Sequence, residues 1–219
     1  MELPNIQDCL ESPDPQKRMR GITELRNYPA EVVVPLLKRL VSDKEFIVRT
    51  FAVMGLGRKQ SQEGFDLLLE IVNFEPDTNV RAEAADSLAR YGEDALPHLL
   101  DLFARDSNWL VRHSIIAAID AQKFPEVLYK LCQIGIDDSD REVKLAAIGA
   151  LGQLHQSNQQ EVALDLLITQ ATCEDPLIRA QVARVLPCFE NKQLAKDTLL
   201  ELRQDRDYRV VGASLEGLL

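Results

Sequence analysis

The stretch Asp140-Arg141-Glu142-Val143-Lys144-Leu145-Ala146-Ala147-Ile148-Gly149-Ala150-Leu151-Gly152 sets the pattern for the whole chain. Take Val143 as position p. An aliphatic residue then stands at p, a basic one at p+1, small or apolar ones at p+4 and p+5, leucine at p+8 and an acid at p−3. The same frame lands on Lys17, Val48, Val80, Val111, Val143, Ile178 and Val210, with gaps of 31, 32, 31, 32, 35 and 32 residues. Self-similarity at a fixed period in this range marks a stacked repeat protein, in which each unit is too small to bury its own apolar face.

Each repeat reads as two antiparallel helices. The first, helix A, carries a leucine pair at p−12 and p−11, as in Leu36-Leu37, Leu68-Leu69, Leu99-Leu100 and Leu166-Leu167, with Leu131-Cys132 and Thr198-Leu199 as variants. The second, helix B, starts near p−2 and runs about a dozen residues, roughly 18 Å at the usual helical rise. Its start has a mechanism: p−3 is Asp14, Glu45, Asp77, Asn108, Asp140, Asp175 or Asp207. A short side-chain oxygen there accepts from the orphan amides of the first turn, and a carboxylate complements the positive end of the helix dipole. Pro15 and Pro176 follow at the first helical position, where a missing N–H does no harm. Glu45 is the weak member, too long for an ideal cap. Within B, positions p, p+4, p+5 and p+8 lie on one face, as in Val80/Ala84/Ala85/Leu88 and Val111/Ile115/Ile116/Ile119.

The expected fold is therefore all-α: a right-handed α-solenoid of about seven two-helix repeats, forming one continuous domain over residues 1–219. The first repeat is partial, with a short helix over Pro4–Glu11 and Lys17 in place of the aliphatic anchor. The longest gap comes from the polar loop Gln153–Glu161, and Pro187 ends the sixth B helix. The last B helix runs into Leu215-Glu216-Gly217-Leu218-Leu219 without a polar cap, which makes the C-terminal repeat a candidate dimer or partner contact.

The totals exclude several classes. A net charge of −10 argues against nucleic acid or an anionic membrane as the main partner. The start has no basic or apolar leader pattern, and no apolar run approaches membrane-spanning length, so a soluble, cytoplasmic protein is expected. Cys9, Cys132, Cys173 and Cys188 are scattered with no C-x-x-C pair, which fits a reducing compartment, and Cys132 stands where other repeats carry leucine. His98, His113 and His155 lie in different repeats without ligand spacing, so no metal site is predicted. Gly55, Gly57, Gly149 and Gly152 belong to helices and form no phosphate loop.

The frame D-x-x-V-R-x-x-A-x-x-x-L resembles the HEAT repeat. Its short period is similar to the subtype named for phycobilin lyases, and Asp77-Thr78-Asn79-Val80-Arg81-Ala82-Glu83-Ala84-Ala85-Asp86-Ser87-Leu88 carries the likeness most closely. That resemblance implies a scaffold, lyase or chaperone-like role, because the repeat serves all three. No catalytic residue is carried over from it.

Three features are candidates for function. The basic row Arg18, Arg49, Arg81, Arg112, Lys144 and Arg179, which Val211 breaks, could meet phosphates or bilin propionates. Its structural alternative is favoured: each guanidinium would bridge to a cap or a loop carbonyl of an adjacent repeat. The outward face of the B helices, expected to line a concave groove, presents apolar Phe51, Met54 and Leu145 beside Arg58, Glu83, Asp86 and Arg90. Exposed apolar groups ringed by charge mark an interface, and the small residues Ala82, Ala117, Ala146, Gly149 and Ala180 would leave its floor open. Trp109, at p−2 like Phe46 and Tyr208, either staples its turn or anchors a partner. With His113 and Asp120 it forms an aromatic–histidine–carboxylate grouping.

The sequence thus reads as a protein-binding scaffold or adaptor without catalytic residues or cofactor, holding a helical partner protein through Phe51, Met54, Arg58, Glu83, Asp86, Arg90, Trp109, His113 and Leu145. The resemblance supplies an alternative, a lyase-like bilin-handling protein that takes an open-chain tetrapyrrole as ligand and a phycobiliprotein as partner. A HEAT-like DNA glycosylase using Trp109 and Asp120 would need a basic groove, which the acidic total disfavours.

Overall fold

The computed structural model describes residues 1–218, and of Leu218 only the backbone. The described residues form fourteen α-helices joined by turns and short 3₁₀ segments. Two compact units divide them, Met1–Ala118 and Ile119–Leu219. In the first unit the A helices are α1 (Leu3–Leu10), α3 (Ala30–Leu40), α5 (Gln62–Phe74) and α7 (Leu96–Arg105). Its B helices are α2 (Pro15–Glu24), α4 (Phe46–Arg58), α6 (Thr78–Ala89) and α8 (Trp109–Ala118). In the second unit α9 (Pro125–Ile136), α11 (Gln160–Gln170) and α13 (Gln193–Leu202) are the A helices, paired with α10 (Arg141–Leu151), α12 (Pro176–Val185) and α14 (Tyr208–Leu215). No helix of the described residues is long and apolar enough to cross a membrane.

Each A helix packs on its own B helix, and successive B helices pack on one another: α2 on α4, α4 on α6 and α6 on α8 in the first unit, α10 on α12 and α12 on α14 in the second. These are the stacked hairpins of an α-solenoid. The stripe at p, p+4, p+5 and p+8 is the seam. Val80, Ala84, Ala85 and Leu88 are fully buried, as are Val48, Ala52, Val53 and Leu56. Burying one such valine or leucine contributes about 1.5–3 kcal/mol, and the stripe is shared between neighbours, so neither hairpin holds it alone.

The caps form as the sequence predicts. The carboxylates of Asp14, Asp77, Asp140, Asp175 and Asp207 each accept the amide two residues on, as does the Asn108 carboxamide. Glu45 makes no such bond. Its own amide donates instead to the Asp43 carboxylate at 2.9 Å. That contact exposes a second layer at p−5, which the sequence frame did not include. Asp43, Glu75, Asp106, Asp138 and Asp205 each accept the amide of the p−3 residue.

The basic row completes the joint. Arg49 donates to the Asp43 carbonyl of its own turn at 2.8 Å and to both oxygens of Glu75 in the next repeat at 2.8 and 3.1 Å. Arg18 spans Ser12, Pro13 and Asp43 in the same way, Arg81 spans Glu75, Pro76 and Asp106, and Arg179 spans Cys173, Glu174 and Asp205. For Arg18, Arg49, Arg81 and Arg179 the structural reading holds, with one correction to the geometry. The carbonyls belong to the arginine's own repeat, and the carboxylate is the next repeat's p−5 residue rather than its cap. A planar five-donor fork serves both at once, which an ammonium cannot do.

Cys132 is buried, and burial pushes its thiol up to about 12, so it is an inert core residue. His98 stands edge-on to Phe65, whose ring also meets Tyr91, while His155 bonds the Gly152 carbonyl and abuts Phe189. The four cysteines are unpaired, and no group of residues among those described could hold a metal ion. At the C-terminal end Arg184 grips both oxygens of Glu216 at 3.0 Å. Of the uncapped end expected over residues 215–219, Leu215 is 39% exposed, and the side chains of Leu218 and Leu219 lie outside the described residues.

Candidate functional site

The outward face of α2, α4 and α6 in the first unit carries most of the predicted site residues. Phe51 and Met54 on α4 are half-buried, and they line one wall of an open slot with Gly55 and Arg58. The opposite wall is the end of α2 with Ile22 and Leu25, and the floor is Val33 and Leu37 of α3. The slot encloses about 250 Å³ and is walled mainly by carbon. Its mouth carries Arg26, Arg58 and Lys59, the last donating from Nζ to the Arg26 carbonyl at 2.6 Å. Gly55 lets the α4 wall approach α3, because a Cβ there would stand 2.5 Å from Leu37 Cδ1.

Next along the face is a charged cluster on α6. Asp86 accepts from Arg90 at 2.7 Å. Glu83, half-buried one turn before, has its carboxyl held above the usual range by burial first and by Asp86 second, against the pull of Arg90, Ser87 and Arg58. The structure thus brings Arg58, Glu83, Asp86 and Arg90 into one neighbourhood across α4 and α6. The two helices can approach this closely because Gly57 lies on Ser87: a Cβ at 57 would fall 2.7 Å from the Ser87 Cβ and 2.9 Å from its Cα. The Ser87 hydroxyl is fully buried and donates to the Val53 carbonyl at 3.2 Å.

Trp109 and His113, one turn apart on α8, stand edge-on with ring centres 6.4 Å apart. Trp109 remains 41% exposed. Asp120 belongs to the second unit, where its carboxylate accepts the amides of Gln122 and Lys123 and pairs with Lys123 at 3.6 Å, a turn-capping role. Leu145 is half-buried on α10 of the second unit. Of the small residues expected to leave the floor open, Ala82 and Ala180 are buried. Ala146 and Gly149 are partly buried, and Ala117 alone of the five is exposed.

Periodicity pointed to Phe51, Met54 and Arg58, but not to the slot between them. Of its other lining residues, Ile22, Leu25 and Leu37 fall at the core positions p+5, p+8 and p−11, and these and Val33 are buried. Only packing shows that one side of that core stays open.

Comparison with known proteins fixes the family. The family model described as HEAT repeats matches residues 34–120 and 128–218. The X-ray structure of YibA from E. coli is similar with a TM-score of 0.64 at 17% identity, covering 97% of this chain and 80% of that one. The complex of CpcE and CpcF of phycocyanin lyase from Nostoc sp. PCC7120 has a TM-score of 0.53 at 21% identity, covering 100% and 95%. Mini spindles TOG3 from Drosophila melanogaster gives 0.53 at 14%, covering 85% and 94%. At these identities the likeness is one of fold. No curated protein matches the sequence. The two matched segments span most of the chain and coincide with its stacked hairpins, and the chain belongs to the HEAT-repeat family.

Proposed function

We propose that this protein is a binding scaffold whose B-helix face holds a helical segment of a partner protein. The observation that carries this reading is the slot at the ends of α2 and α4: an open, carbon-walled recess with Phe51 and Met54 half-exposed on one side and cations at its mouth. Helix-in-groove recognition uses such a recess for one or two apolar anchors. The charged residues along the rest of the face, Glu83, Asp86 and Arg90, would set register and partner choice more than affinity. Trp109 and His113 extend the same surface, and Leu145 offers a further contact on the second unit. We read the chain as one continuous solenoid without catalytic residues, working in the cytoplasm.

Replacing Phe51 and Met54 by aspartate tests this reading. Both side chains are half-buried rather than core, so the variant should fold, as checked by circular dichroism. It should lose the partner captured by the parent from native cell extract. Undiminished capture would reject the face.

A second reading, handling of an open-chain tetrapyrrole on the same face, is supported by the resemblance of the repeats to the phycobilin-lyase subtype and by the fold shared with the phycocyanin lyase complex. The arginines at the slot mouth would suit its propionates. Visible spectra of the protein mixed with a free bilin, or with a chromophorylated phycobiliprotein, separate the two readings: a shifted bilin band supports the second.

A further inference from the structure

We propose that the slot takes an acidic amphipathic segment, with one bulky apolar side chain inserted between α2 and α4 and flanking carboxylates meeting Arg26, Arg58 and Lys59. This rests on the docking reading above and adds the chemistry of the occupant. Three cations and no carboxylate line the slot. Arg26 and Arg58 are exposed, and the Lys59 ammonium donates to the Arg26 carbonyl. Most carboxylates close by are engaged with other partners. Asp86 holds Arg90 at 2.7 Å, and Glu24 accepts from the amino terminus at 3.3 Å. Glu83 is the exception, since it draws on Arg58 as well as Arg90.

The charge distribution along the chain favours the same occupant. Residues 1–59 hold ten Lys and Arg against eight Asp and Glu, while residues 60–219 hold fifteen against twenty-seven. An acidic segment is therefore repelled along most of the sequence and accepted at this mouth, which is how opposed charge fixes register. Size narrows the occupant further. At about 250 Å³ the recess is smaller than the roughly 300–1,000 Å³ typical of small-molecule pockets, and a single anchoring side chain fits it better than a whole ligand.

The test is selection from a random peptide library of roughly twelve residues displayed on phage, which is long enough for an anchor and its neighbours one turn away. The bait is the full chain, and binding of each selected peptide is then measured by fluorescence anisotropy against parent, Arg26→Glu/Arg58→Glu and Phe51→Asp/Met54→Asp. The expected peptides carry Leu, Phe, Met or Trp with Asp or Glu within a turn. They bind about tenfold or more weaker to the arginine-reversed protein and weaken as salt rises. Selected peptides that depend on Phe51 and Met54 but are neutral or basic, or that ignore the reversal, would overturn the acidic occupant and leave the docking face standing. If every selected peptide binds Phe51→Asp/Met54→Asp as well as the parent, the docking face itself fails, and this proposal with it.

Discussion

The step from α4 to α6 and the step from α10 to α12 are the same joint built from different parts. In the first, Arg49 is clamped between its own turn and Glu75 of the next repeat, with side chains only 15% and 8% exposed. In the second, p+1 is Lys144 and the p−5 residue of the next repeat is Cys173. The ion pair that crosses this step is Arg141 to Asp175 at 2.9 Å, with side chains 56% and 29% exposed. The two changes go together for a physical reason. Without a carboxylate to receive it, a buried guanidinium would be an uncompensated charge. The joint nevertheless closes, because Val143, Ala147, Ile148, Leu151, Val182 and Ala183 are fully buried and Ile178 nearly so. Apolar stacking makes the fold, and the arginine clamp strengthens individual steps.

The largest effect should come from breaking a clamp. Glu75→Ala leaves Arg49, whose side chain is 15% exposed, without its carboxylate, and the expected loss is about 3 kcal/mol in urea unfolding. Arg141→Ala on the other joint should cost at most about 1 kcal/mol, because an exposed pair is worth little. Equal losses would erase the distinction between the two joints.

Next comes pH. The Arg179 hydrogen bonds hold the Asp205 carboxyl below the usual range, so the folded chain keeps it ionised at a pH where the unfolded chain has taken up a proton. That contribution is fully present above the ordinary aspartate value of about 4 and is lost as pH falls through the lower folded value. Asp205→Asn should therefore melt below the parent at neutral pH, with the gap closing in acid. A gap that persists unchanged below the folded value would show that charge is not what Asp205 supplies.

A smaller gain should follow from completing the missing clamp. Lys144→Arg with Cys173→Asp is expected to stabilise by about 1 kcal/mol, with each single change giving little or a loss. Additive single effects would mean that the two side chains do not meet.

Much of this was legible in the residues. The anchors at p gave the hairpins and their number, and the cap at p−3 was read correctly down to the failure of Glu45. The p−5 carboxylates stood in plain sight at Asp43, Glu75, Asp106, Asp138 and Asp205, but a polar residue two before a cap looks like any turn residue until the arginine reaches across. Phe51 and Met54 could be singled out because apolar residues broke a polar face. The slot could not, since periodicity assigns Ile22, Leu25 and Leu37 to the core and is silent on which core edge stays uncovered. Of the Trp109–His113–Asp120 grouping, Trp109 and His113 share a helix turn and meet, while Asp120 lies past the end of α8 and caps its own turn.

The most direct test of the docking face places a photoreactive benzoylphenylalanine at Thr23, an exposed residue of the slot wall, and in a second protein at Glu70, exposed on the A helix α5. Irradiation in native extract should cross-link a single partner from Thr23 and not from Glu70, and Met54→Asp should abolish it. Equal labelling from both positions, or a Thr23 cross-link indifferent to Met54→Asp, would contradict the claim that this face of the stack holds another protein.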